Sequence, residues 1–270
     1  MRHNCAGEWH TRCFVTSAFL TVTFLSSAFA QSASPLDIAS DGKLRVAMIG
    51  VNPVLVSKAP DGSLKGISVD LGSFIAKNIN ATLVPVVYAD PEAYTHSFGM
   101  HEWDIAIGPR RASEADKVDF SPDFMLVDNV YVAAPGKKFA DASQVDTTGV
   151  RIAVAKDGAP DKFLSGHLKA ATLVRVPGKI DAAVAILRSG EADVYGSNGQ
   201  FTYSVAEKLP GATMVPGAFA TIHMAVSIPK DRSAAAKRKL NALVDAAIAA
   251  DLPRKVIAQE ALKGVRPITH

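Results

Sequence analysis

From residue 43 onward, short apolar runs alternate with segments of helical spacing. "LRVAMIG" (44–50), "TLVPVVY" (82–88) and "WDIAIG" (103–108) are rich in β-branched residues and read as buried strands. Between the first two, "SVDLGSFIAKNI" (68–79) sets Leu71, Phe74, Ile75 and Ile79 on one helical face behind Ser68, a candidate cap. A second helix is expected to open at Asp90-Pro91, because proline suits the first helical position. The order βαβαβ predicts parallel strands with crossover helices.

The pattern then comes a second time. After "NVYVAAPGKK" (129–138), strand "VRIAVA" (150–155) leads into a helix from Pro160. Strand "TLVRVP" (172–177), helix "IDAAVAILRSG" (180–190), strand "ADVYG" (192–196) and helix "QFTYSVAEKL" (200–209) follow. Beyond "IHMAVSIPK" (222–230), an alanine-rich stretch from Ser233 to Leu262 predicts two helices broken near Pro253. No exact repeat, low-complexity tract or long polar linker interrupts this order. Two α/β lobes joined by extended segments are predicted.

The first thirty residues stand apart. Arg2 and Arg12 precede the apolar run "CFVTSAFLTVTFLSSAFA", which ends in Ala28-Phe29-Ala30 before Gln31, as in a cleavable secretory leader. At roughly 18 residues the run is shorter than the ~20 of a membrane span. The mature chain is therefore expected to begin near Gln31. Both cysteines, Cys5 and Cys13, fall in the leader, so the mature protein must be held together by its core and not by disulfides. Removing the leader takes two basic residues and one acid from a net charge of +3 and leaves +2, which gives no indication of nucleic acid or an anionic membrane as partner. His96, His101, His167, His223 and His270 lack metal-ligand spacing, and Gly-x-Ser-x-Gly and P-loop motifs are absent; no metal and no cofactor are expected.

"LRVAMIGVNPVLVSKAPDGSLKGISVDLGSFIAKNI", with its Asp-Gly hairpin and Gly-x-x-x-Asp-Leu, resembles the opening of the family 3 extracellular solute-binding proteins of ABC transporters. "WDIAIG…KVDFSP", "VRIAVAKDGAPDKFL", "LRSGEADVYGSN" and "MAVSIPKD" resemble later segments of that family, in order and at similar spacing, over nearly all of residues 43–265. The resemblance implies an α/β, two-lobed periplasmic-binding-protein-like fold (type II) with a ligand cleft between the lobes. Residues 36–128 with 224–270 would form the first lobe and 129–223 the second. It also implies a periplasmic, monomeric protein, not an enzyme, that carries a small molecule to an inner-membrane ABC permease.

Ligands of open parallel sheets bind beyond the carboxyl ends of the strands, which singles out the residues after "WDIAIG". Gly108, Arg110 and Arg111 lie there, and one guanidinium fork is expected to grip a ligand carboxylate. Extended neighbours point to opposite faces, so only one of the two enters the cleft. The alternative is a surface pair balanced by Glu114 and Asp116. Amino-acid binders of the resembling family usually place their carboxylate-binding arginine where this chain has Glu114, and an acid for the ligand's ammonium where it has Ser197 and Asn198. Asn198 reads equally as a turn residue beside Gly199. In "KDGAPDKF" (156–163), the N–H groups of Gly158 and Ala159 are candidates for holding an anion at a helix start, with Asp157 alternatively capping the turn. The resemblance also implies a polar contact at Asn52 and, where the family often has a stacking aromatic, an apolar wall at Leu55, which otherwise is simply core. His223 is a marginal candidate, more often structural.

Three functions fit these residues. The first is a carrier of a small polar or carboxylate-bearing solute, amino-acid-like or an organic acid. The second is an enzyme resembling cyclohexadienyl or arogenate dehydratases, with Glu114 or Asp128 as the acid. The third is a solute sensor without a permease.

Overall fold

The computed structural model describes residues 38–39, 41–50 and 53–269, so the expected leader lies outside the described residues. The first series comprises β1 (Lys43–Ile49), a small hairpin of β2 (Ser57–Lys58) and β3 (Leu64–Lys65), α1 (Ile67–Asn78), β4 (Thr82–Tyr88), α2 (Pro91–His96) and β5 (Ile105–Pro109). β1 pairs in parallel with both β4 and β5, as the βαβαβ order predicts. The hairpin turns at Asp61-Gly62, where Gly62 has φ 86° and the Asp61 carboxylate accepts from the Ser63 N–H.

A 16-residue strand, β6 (Val118–Ala133), then leads to the second series. This consists of β7 (Arg151–Ala155), α3 (Ala159–His167), β8 (Thr172–Val176), α4 (Ile180–Arg188), β9 (Val194–Asn198) and α5 (Gly199–Lys208). β7 is parallel to β8 and to β9. The chain returns through β10 (Thr213–Met214) and β11 (Ala220–Pro229), and ends with α6 (Ala234–Ala249), α7 (Leu252–Gln259) and β12 (Val265–Pro267). α6 ends at Ala249, Asp251 with a left-handed φ of 59° caps the start of α7, and Pro253 lies in the first turn of α7, so the break falls near proline as expected.

Ten strands form one sheet in the order β4-β1-β5-β11-β6-β9-β7-β8, with β10 and β12 also on β6. β6 and β11 run antiparallel through its middle, with register shifts around Ala225. Buried apolar residues fall into separate clusters. One draws on residues 38–127 and 224–265; two others draw on residues 131–215 and lie on opposite faces of their strands.

Each series also carries the same clamp at the start of its first strand. The Asp104 carboxylate accepts from the Arg45 N–H (2.9 Å) and from its Nε and Nη2, while the Asp193 carboxylate accepts from the Arg151 N–H (2.8 Å), Nε and Nη2. Asp104 and Asp193 in turn donate their N–H groups to the carbonyls of Arg45 and Arg151. These clamps lock neighbouring parallel strands in register at the ends opposite the candidate site.

One local expectation changes. Ser68 does not cap α1: Gly66, at φ 113°, occupies the cap, and Ser68 is buried inside the first turn with its N–H on the Leu55 carbonyl. A Cβ at Gly66 would lie 2.8 Å from the Leu55 carbonyl oxygen, so the closeness of that loop demands glycine.

Candidate functional site

Strand pairing decides where the two arginines go. The Arg110 N–H donates to the His223 carbonyl on β11 (2.8 Å), which keeps this residue on the sheet. Its side chain gives Nε to Asp123 Oδ1 (2.7 Å) and Nη2 to the Ser121 carbonyl, and its guanidinium lies 5.1 Å from the centroid of the Phe120 ring. The other Asp123 oxygen is 2.7 Å from His223 Nδ1, so one carboxylate sits between a guanidinium and an imidazole. Arg110 remains 37% exposed, with Nη1 unused among the described residues.

Arg111 turns the other way, as extended backbone requires. Its Nη1 donates to Thr95 Oγ1 (2.6 Å) and to Glu114 Oε1 (3.2 Å). Glu114 is buried in a short 3-10 turn, and among the described residues its Oε2 and the Tyr94 hydroxyl have no hydrogen-bond partner. Burial, with the Glu114 charge adding to it, pushes the Tyr94 hydroxyl far above its ordinary range, so it stays neutral. Gly108 is what admits this ring: a Cβ there would stand 2.6 Å from Tyr94 Oη. Among the described residues neither arginine pairs with Asp116.

Four further candidates come from the second series. Ser197 and Asn198 end β9, and the Asn198 side chain caps α5 by accepting from the Phe201 N–H (3.0 Å). Gly158 precedes α3, but its N–H is not free, since it donates to the Ala155 carbonyl (3.1 Å). Ala159, at the first helical position, keeps an N–H without an intrahelical acceptor. The positive end of α3 already holds the chain's own anion. Asp161 accepts from the Asp157 N–H and pairs with Arg175 (3.0 Å), and these contacts outweigh burial and hold its carboxyl below the usual range.

Leu55 is fully buried in the core that includes β1 and α1, which is the alternative considered for it. Asn52 lies outside the described residues. Of the two acids weighed for an enzyme, Asp128 accepts from Arg266 Nε (2.7 Å) and Nη2 (2.9 Å) and from the Thr221 hydroxyl. Arg266 holds it below the ordinary carboxylate range, so it stays ionised and is a poor proton donor. Among the described residues no group of three or more His, Cys, Asp or Glu is placed to hold a metal.

The architecture has solved counterparts. A mutant of ArgBP from T. maritima superposes with a TM-score of 0.61 at 18% identity, over 84% of this chain and 99% of that one. A structure described as a putative binding component of an ABC transporter from Wolinella succinogenes, complexed with lysine, gives 0.66 at 16% identity over 81% and 95%. The chain has the two-lobed fold of periplasmic binding proteins. An ancestral amino acid-binding protein, AncCDT-1, described as a precursor of cyclohexadienyl dehydratase, shares this binding-protein fold with a TM-score of 0.63 at 18% identity over 84% and 99%. No protein-family model and no curated protein matches the sequence.

Three residues that reach the two candidate arginines escaped the sequence. Asp123 and Phe120 reach Arg110 from β6, and Thr95 reaches Arg111 from α2. The one available signal was the acid of "FSPDF", thirteen residues beyond Arg110 and farther along the chain than Glu114 and Asp116.

Proposed function

We propose that this chain is a family 3 solute-binding protein: a periplasmic, monomeric, non-enzymatic carrier delivering a small polar or carboxylate-bearing solute to an inner-membrane ABC permease. The observation that carries the reading is a fold shared over nearly the full length of binding proteins, built on two antiparallel strands, β6 and β11, through which the chain passes between the two series. The proposed lobes are residues 36–128 with 224–270 and residues 129–223. The separation of the buried clusters at residues 127–131 and 215–224 supports these boundaries.

Within the cleft, Arg110 is the proposed anion contact. It is the more exposed of the pair, retains Nη1, and is backed by Phe120 and Asp123. Both Asp123 oxygens are taken by Arg110 and His223, so no free acid is left there for a ligand's cationic group, which suits a solute that is anionic or neutral overall. Ser197 and the Ala159 N–H are the proposed contacts on the facing lobe. Dehydratase chemistry is the second reading, favoured by AncCDT-1 among the similar structures. The ionised state of Asp128 argues against that acid as a proton donor.

Native mass spectrometry of the freshly exported protein identifies the solute that co-purifies, and calorimetry with it tests the contact. Arg110→Ala should cost about 2 kcal/mol of affinity, the low end for a charge pair because Asp123 already balances the guanidinium. Arg111→Ala should instead lower stability, by stranding the buried Glu114. A loss below ~0.5 kcal/mol for Arg110→Ala would mean that this guanidinium only braces β6 and that the anion contact lies elsewhere.

A further inference from the structure

A second cavity, of about 510 Å³, opens where β6, the β10–β11 connection, α5 and the β12 strap meet. None of the residues proposed to contact the solute in the cleft lines it. Its apolar surface comes from Val130, Met214, Pro216 and Val265, and the Tyr203 ring, 37% exposed, stands at its wall. Asp128 also faces it, but Arg266 and Thr221 occupy both of its oxygens. Arg266 spends Nε and Nη2 on that carboxylate, which leaves Nη1 for an outside acceptor. Three residues earlier, Lys263 holds its ammonium 6.0 Å from the Tyr203 ring centroid and forms no ion pair among the described residues. The cavity therefore offers an apolar floor, the Tyr203 ring at its wall and a half-used guanidinium, while the Lys263 ammonium stands over that ring, outside the lining itself.

We infer that this cavity is a second binding site, for a small molecule with an aromatic or flat apolar body and a single carboxylate. The body would pack on Tyr203 and Met214, while the carboxylate would take Lys263 Nζ and Arg266 Nη1. Anionic charge is favoured because Arg266 already neutralises Asp128, which leaves the Lys263 ammonium beside Tyr203 as the charge without a counter-ion among the described residues nearby. A ring is favoured because exposed tyrosine faces gain most from stacking with another ring. The volume accommodates a bicyclic body with room for water. The inference is independent of the solute carried in the cleft.

The probe is 1-naphthoate, titrated by calorimetry and by ligand-observed NMR saturation transfer into the full mature chain. Saturable binding at one site per molecule is expected at up to roughly millimolar concentration. Tyr203→Ser and Lys263→Gln, both on the surface, should each weaken it about tenfold, the equivalent of one good contact. Arg110→Ala should leave it unchanged, and 1-naphthalenemethanol, which lacks the charge, should bind about tenfold more weakly or not at all. The inference is overturned by no saturable binding. It is equally overturned by binding that survives both Tyr203→Ser and Lys263→Gln, by loss of binding in Arg110→Ala, or by equal affinity for the alcohol.

Discussion

Replacing Asp193 by asparagine tests how the second series is held in register. The carboxylate is 5% exposed and receives the Arg151 N–H, the Arg151 guanidinium and Lys137 Nζ (2.8 Å). Burial alone would raise its pKa, yet these contacts prevail and lower it from the ordinary 3.8 to about 2. Each pH unit of displacement is worth ~1.4 kcal/mol, so the charged form contributes at most ~2.4 kcal/mol at neutral pH. Arg151 and Lys137 are about half exposed, which screens their share and brings the expected loss for Asp193→Asn to about 1–2 kcal/mol. The sign with pH follows from the lowered value. This stability is fully present above pH ~4 and fades as pH falls toward 2, so the difference between wild type and variant should shrink to roughly half by pH 3. Urea unfolding at pH 7, 4 and 3, followed by far-UV circular dichroism, measures it. A penalty equal at pH 7 and pH 3 would show that asparagine disturbs packing rather than charge, and one below ~0.3 kcal/mol at pH 7 would remove the clamp from the account.

Other consequences are open to direct measurement. Gly199→Ala should lower stability by about 2 kcal/mol, since its Cβ would lie 2.4 Å from Gly264 Cα, backbone that cannot swing aside, and an unchanged melting temperature would contradict that packing. If the cleft closes on its solute, small-angle scattering at saturation should give a smaller radius of gyration than the free protein, and identical curves would speak against a hinged carrier. Amino-terminal sequencing of the exported protein should read from near Gln31, and a retained Met1 would rule out the leader.

The residues that alternate or recur at helical spacing determined the elements by themselves. Thr82–Tyr88 was read to the residue, and α2 begins at Pro91 under an Asp90 cap because both signals are local. Pro253 likewise marked the break between α6 and α7, since a missing N–H needs no tertiary context. The twofold βαβ order was legible for the same reason. Contacts across strands were not. The partner of Arg111 is three residues away and was among those weighed, whereas the partner of Arg110 is thirteen residues away on β6, brought alongside only because β11 pairs with both strands. Leu55, Gly66 and Gly108 carry their meaning only in the packed chain, where a carbonyl or a tyrosine ring comes within reach. The Arg45–Asp104 and Arg151–Asp193 clamps span 59 and 42 residues, and parallel strand register alone brings their halves together. Local periodicity fixes what a segment becomes, while charge pairing and close approach depend on which segments the sheet sets side by side.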